Sequence, residues 1–122
     1  MTTPRQIFER LAGGIGSGDW SALHLLYAAD ADVDIPFARP RMRFRGRDEV
    51  RRHFEGLSGR VSLTPRDLRV HETADPEVIV AEWDYESAGV RFANIQVLRV
   101  RDGLIVESRD YHDHAAIAEI LA

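Results

Sequence analysis

The sequence predicts an α+β domain, with N-terminal helices packed on one face of a curved antiparallel or mixed sheet. Apolar residues recur at helical spacing as far as Leu57, and from Val61 onward the spacing changes to alternation and stays there. Ala74-Asp75-Pro76-Glu77, Ala88-Gly89 and Asp102-Gly103 cut the second half into strands. Helices first and strands afterwards is the order of an α+β domain, not of alternating βα units. The 122 residues, 44% of them hydrophobic, suit one compact domain spanning 1–122.

Thr3-Pro4 starts the first helix, with a capping hydroxyl and a proline at the first helical position. Ile7, Phe8, Leu11 and Ile15 form its buried stripe, and the glycines at 13, 14 and 16 weaken its last turn. Asp19 is expected to cap a second helix whose stripe is Trp20, Leu23, Leu26 and Tyr27, with His24 beside it as a boundary residue. A short strand from Asp32 to Ile35 then puts Asp32 and Asp34 on one face and Val33 and Ile35 on the other. If the acidic face turns into a cavity, burial makes either carboxylate a plausible acid or base. Pro36 and Pro40 break the chain, and Arg41 to Arg45 reads as a loop or short edge strand. Gly46-Arg47-Asp48 leads into a helix with Val50, Phe54 and Leu57 inward and His53 at the edge of that face. Strands follow near Ser62 to Thr73, Val78 to Ser87, Phe92 to Arg101 and Leu104 to Tyr111. Asp113 caps a closing helix with Ile117, Ile120 and Leu121 as its packing face.

The hairpin about Asp102-Gly103 carries the candidate site, and its loop length decides which side chains face each other. A two-residue loop pairs Gln96 with Arg109 and Leu98 with Glu107. A three-residue loop pairs Leu98 with Val106, Gln96 with Ser108 and Asn94 with Asp110. The second register is preferred because it gives one face with a greasy end and a polar end, as a pocket floor requires. On the neighbouring strand Ile79, Ala81, Trp83 and Tyr85 share a face, which reads either as core or as an aromatic pocket wall.

Composition removes several classes of function. A net charge of -4 and a pI near 5.7 argue against nucleic acid, which calls for a basic stripe. There is no cysteine and all 16 basic residues are arginine, so thiolate and lysine Schiff-base chemistry are excluded. His112 and His114 form an H-x-H pair without a clear third ligand, so no metal site is expected. The N-terminus lacks the apolar core of a signal peptide and no apolar run approaches a membrane span, which reads as a cytoplasmic protein with no membrane partner.

The stretches Y-A-A-D-A-D-V-D-I-P, G-R-D-E-V-R-R-H-F and V-L-R-V-R-D-G-L-I-V-E-S-R-D-Y-H-D resemble the NTF2-like superfamily, in particular SnoaL-like proteins, ketosteroid isomerases and limonene-1,2-epoxide hydrolases. The resemblance implies a cone-shaped α+β barrel with a deep apolar cavity, no cofactor, and a homodimer packed through the outer sheet face. The catalytic positions of ketosteroid isomerases fall on Leu11, Ile35 and Gln96, none of them an acid. Of the Asp-Arg-Asp set of the epoxide hydrolases only Asp110 remains. The arginine and other aspartate fall on Trp83 and Tyr85, and the tyrosine and asparagine on Asp32 and Asp34. SnoaL-type cyclases rely on a single acid/base aspartate near the last strand, a role that Asp110 can fill.

The combined expectation is a pocket protein for a small, largely apolar, oxygen-bearing molecule. If it is an enzyme, the chemistry is cofactor-independent cyclisation, isomerisation or hydration, with Asp110 transferring the proton. Asn94 and Gln96 would orient the substrate oxygen, Tyr85 would donate a hydrogen bond and Asp34 would be a second carboxylate. Trp83, Ser108, Asp32, His53 and Leu98 complete the expected lining. The alternative is a non-catalytic ligand-binding or dimerisation domain in which Asp110 satisfies buried donors.

Overall fold

A computed structural model describes residues 2–122. Helix α1, Pro4–Ser17, starts with a reciprocal cap: Gln6 N donates to Thr3 Oγ1 at 3.2 Å and Thr3 N donates to Gln6 Oε1 at 2.9 Å. Its stripe of Ile7, Phe8, Leu11 and Ala12 is buried, and Gly18 ends it in the left-handed conformation.

The second helix expected from Asp19 does not form. Only Leu23–Leu26 coils, as a 3-10 turn, and Tyr27 already opens strand β1, Tyr27–Ile35. Two local bonds and one distant pairing explain this. The Trp20 indole Nε1 donates to the Ile15 carbonyl at 3.0 Å, so the ring closes the end of α1 instead of leading a new helix. Asp19 Oδ1 accepts from Ser21 N and Oγ at 3.3 and 2.7 Å and shapes a tight turn. Tyr27 is then drawn into the sheet opposite Ile105. Gly14 leaves room for the turn, because a Cβ there would overlap the Leu23 side chain.

The remaining elements are β2 (Met42–Arg45), α2 (Arg47–Leu57), β3 (Thr64–Glu72), β4 (Val78–Ser87), β5 (Val90–Arg101), β6 (Leu104–His112) and α3 (His114–Leu121). The six strands form one mixed sheet in the order β2-β1-β6-β5-β4-β3, in which β1 and β6 run parallel and every other pair antiparallel. The edge strands β2 and β3 do not pair with each other, so the expected barrel is an open cone. Helices α1 and α2 fill its concave side. Every second residue of β4 and β5 points to them, from Ile79 to Ser87 and from Phe92 to Val100, and is buried.

The hairpin of β5 and β6 follows neither uniform register. Asp102 and Gly103, with φ of 52° and 75°, make a two-residue turn with both central residues left-handed, which matches the twist of the flanking strands. Val100 therefore pairs with Ile105. A bulge absorbs Val106, after which Arg99 pairs with Glu107, Leu98 with Ser108 and Gln96 with Asp110. The inward face is the one expected, but beyond the bulge each partner on β6 is displaced by two residues.

Trp20→Phe keeps most of the buried ring and removes the bond to Ile15. In urea titration the variant should lose about 1 to 2 kcal/mol with an unchanged denaturant slope; an unaltered midpoint would show that the indole bond does not hold the end of α1.

Candidate functional site

A cavity of about 60 Å³ lies between the concave sheet face and helices α1 and α2. Its polar lining is Tyr27, His53, Tyr85, Gln96, Ser108 and Asp110; the rest is apolar and includes Phe44 and Phe54. Larger hollows exist, such as one of about 610 Å³ between α1 and the β3–β4 turn, but they lie on the outside of the fold.

Strands β5 and β6 place Gln96 and Asp110 directly opposite each other. Asp110 as a residue is half-buried, yet its Oδ1 is out of solvent and has no hydrogen-bond partner. Burial pushes its carboxyl up to about 6, and the Asn94 amide, close by but outside hydrogen-bonding geometry, pulls the other way. Gln96 Nε2 donates to Ser108 Oγ at 3.0 Å, which leaves the Gln96 carbonyl oxygen and the Ser108 hydroxyl hydrogen to meet a ligand.

Two phenols share the space with Asp110. Burial pushes the pKa of both Tyr27 and Tyr85 up and so opposes their ionisation, and the Asp110 charge adds to the effect on each, so both remain O–H donors. Tyr27 is carried in by the first residue of β1, whose carbonyl accepts from Arg47 Nε at 2.8 Å. His53, from α2, packs 4.5 Å from the Phe44 ring and is held down to about 4, first by burial and then by His112, so it is neutral near pH 7.

The structure thus gathers Asp110, Tyr85, Gln96, Ser108 and His53. It does not bring in the others. Asp34 lies on the opposite face of β1, where Arg41 Nε and Nη2 donate to it at 3.0 and 2.6 Å and hold its carboxyl below the usual range. Asp32 is exposed there beside Arg45 at 3.3 Å. Trp83, Asn94 and Leu98 do face inward, but they stand behind the cavity wall. Trp83 is packed edge-on to Tyr85 at 5.5 Å and tilted against Phe8 at 5.1 Å, and Leu98 is wholly enclosed. Trp83 Nε1 and Asn94 Nδ2 are buried without hydrogen-bond partners.

Tyr27 escaped the sequence reading because it was placed in a helix. The alternation of Ile35, Val33 and Ala31, continued backwards, was the signal that could have found it. The H-x-H pair is bonded internally, His112 Nε2 to His114 Nδ1 at 3.1 Å, while Arg39 N donates to His114 Nε2 at 3.3 Å. Among the described residues no cluster of three or more His, Asp, Glu or Cys could hold a metal ion, and no helix is long and apolar enough to cross a membrane.

The model of the SnoaL-like domain family matches residues 7–108, which takes in most of α1, all of α2 and the cavity lining except Asp110. The chain belongs to the SnoaL-like family. It is 30% identical over 94 residues to an uncharacterised PhzA/B-like protein of Pseudomonas aeruginosa, covering 70% of this chain and 67% of that one. In structure it is similar to a candidate isomerase from Bacillus subtilis, with a TM-score of 0.86, 21% identity and coverage of 95% and 90% of the two chains. A candidate polyketide cyclase from Pseudomonas putida gives 0.82 with 17% identity and covers both chains fully at 100%. These likenesses establish the NTF2-like α+β cone for this SnoaL-like chain.

The raised Asp110 value has a stability consequence. Its contribution to stability is fully present below the unfolded value of 3.8 and is lost as pH rises through about 6. The ionised form therefore costs about 3 kcal/mol above that window. Asp110→Asn should be about 2 to 3 kcal/mol more stable than the parent at pH 8 and lose that advantage near pH 3.5. A variant destabilised by about 1 to 3 kcal/mol at pH 8 would mean that the carboxylate satisfies buried donors.

Proposed function

We propose that this SnoaL-like chain is a small-molecule enzyme that performs cofactor-independent acid/base chemistry of the cyclisation, isomerisation or hydration type. The observation that carries the reading is the buried carboxyl of Asp110, with a free Oδ1, in a cavity where hydroxyl and amide groups face it. Near pH 7 Asp110 is mostly ionised and can accept a proton from the substrate as a new bond forms or a double bond shifts. It then returns that proton at another atom, so the site ends as it began and no electrons leave the substrate. Tyr85 and Tyr27 donate hydrogen bonds to the substrate oxygen on which negative charge develops, and Gln96 and Ser108 fix its orientation. Asp34 has no part in this scheme.

The relatives' descriptions as candidate cyclases and isomerases agree with such chemistry. One observation favours a second reading, a non-catalytic binding or dimerisation domain: the cavity of about 60 Å³ falls well below the ~300 Å³ of ordinary ligand pockets. The reading also includes a homodimer through the outer sheet face, where Ile95 is 43% exposed beside Ala93 and Val97. A solution mass of twice 13.8 kDa is expected, and a monomer at high concentration would remove that part.

The acid/base reading is tested by deuterium exchange at the carbons next to the carbonyl of small cyclic ketones, followed by NMR. Exchange should accelerate as pH rises through about 6, as the base form of Asp110 appears. Asp110→Asn should slow it by about a hundredfold or more, and Tyr85→Phe by up to a similar factor. An exchange rate that Asp110→Asn leaves intact would defeat the proposal.

A further inference from the structure

Resting on the small-molecule reading of this site, we infer that it takes an uncharged, oxygen-bearing ligand of about five to seven non-hydrogen atoms, or an end of that size, and that Phe54 sets the limit. The size follows from the space. Pockets for drug-sized ligands offer ~300 Å³ or more, and about 60 Å³ is a fifth of that, room for something on the order of a single ring. Fused rings do not fit.

The charge follows from the lining. No arginine contributes to it, and the only carboxyl is Asp110, so a carboxylate or phosphate would enter against a like charge with no compensating cation. The arginines of β2 and its approach are turned outward onto acids, Arg41 and Arg43 onto Asp34 and Arg45 onto Asp32. What the cavity offers most is O–H donors, from Tyr27, Tyr85 and Ser108, with the neutral His53 ring beside them. Such a set fits the lone pairs of a carbonyl, ether or hydroxyl oxygen. An ammonium could pair with the Asp110 carboxylate and the Gln96 carbonyl oxygen, but it would give up its hydration on burial and leave the phenol O–H groups without a ligand acceptor.

Phe54 is the residue placed to enforce the limit. It projects from α2 between the Trp20 ring, edge-on at 6.1 Å, and the Tyr27 ring at 6.2 Å, and it lines the cavity while remaining only half-buried. Its ring therefore stands between the cavity and the outside, as do the half-buried Phe44 and His53 rings on the neighbouring side. The neighbouring side, His53 against Phe44, is packed more closely.

The experiment is an amide NMR titration of the full chain with four probes: cyclohexanone, cyclohexylammonium, cyclohexanecarboxylate and 2-decalone. It is repeated on Phe54→Ala and on the milder Phe54→Leu. Cyclohexanone should saturate shifts at Gln96 and Ser108 in the parent, with the two ions and the bicyclic ketone at least tenfold weaker. At least one folded Phe54 variant should gain tenfold or more for 2-decalone relative to cyclohexanone. The inference fails if the parent binds 2-decalone as well as cyclohexanone, if either ion is preferred, if no ring compound binds the parent, or if neither folded variant changes the ratio. Saturable cyclohexanone binding without Asp110-dependent exchange would support this inference while removing the acid/base reading. Exchange that proceeds equally on 2-decalone would do the reverse.

Discussion

The arrangement inside the cone depends on how β5 and β6 pair. A two-residue turn alone would set Leu98 against Glu107 and carry a charged residue to the concave side; the bulge at Val106 removes that mismatch by taking one residue out of the ladder. Beyond it Leu98 meets Ser108 and Gln96 meets Asp110, so the wall grades from apolar to polar along its length. Ile105, wholly enclosed, anchors the greasy end, and the Gln96–Ser108 bond ties the polar end across the strands. The parallel pairing of β1 with β6 then brings Tyr27 and Val33 to the same wall. One hairpin therefore decides both which groups meet and how far they are from water.

What was legible in the sequence and what was not separate along a physical line. Alternation is local, so the shared face of Asn94, Gln96 and Leu98 on one strand with Ser108 and Asp110 on the other could be read from residues alone. Their partners could not, because a bulge is settled by how well Ile105 and Val106 pack. Alternation also tells which residues share a face without telling which face turns inward. Asp32 and Asp34 share one, but Arg41, Arg43 and Arg45 on the adjoining segment claim it for the outside. Tyr27 was lost for a different reason: the 3.6-residue pattern of Trp20, Leu23 and Leu26 is real over one turn, and only a pairing with Ile105, far along the chain, overrides it. The helices that begin at Pro4 and near Arg47 were legible because cap, stripe and end agree within each segment. Cavity volume is a property of three-dimensional packing, and nothing in the order of residues encodes it directly.

Burial moves Asp110 and His53 in opposite directions and to one effect. It raises the Asp110 carboxyl to about 6 and lowers the His53 imidazole to about 4, and in each case the neutral form is favoured. The stability contributions have opposite signs in pH. That of Asp110 is present below 3.8 and lost as pH rises through about 6, whereas that of His53 is present above 6.5 and lost as pH falls through about 4. Between about 4 and 6 the two trends offset each other, and the cavity carries little charge. Above about 6 a single negative charge appears, on Asp110, among groups that cannot neutralise it. Such a carboxyl is neutral in mild acid and ionised near pH 7, the range in which the proposed reading needs a weak base.

The small volume and the raised carboxyl have the same origin. A carboxyl beside a wide, water-filled cleft would be hydrated and would titrate near its ordinary value, and the phenols around it would lose the enclosure that keeps them protonated donors. Here Phe44, Phe54 and the ring of His53 occupy the space that a larger cone would leave to solvent. The side chains proposed to limit ligand size are therefore also those that withhold water from Asp110. On the proposed reading, selectivity for a compact ligand and the poise of Asp110 as a base are linked, because enlarging the cavity would hydrate the carboxyl and shrinking it would leave no room for the proton's donor. Phe44, His53 and Phe54 all line the cavity and are half-buried, and in the proposed scheme both properties are set together through these rings.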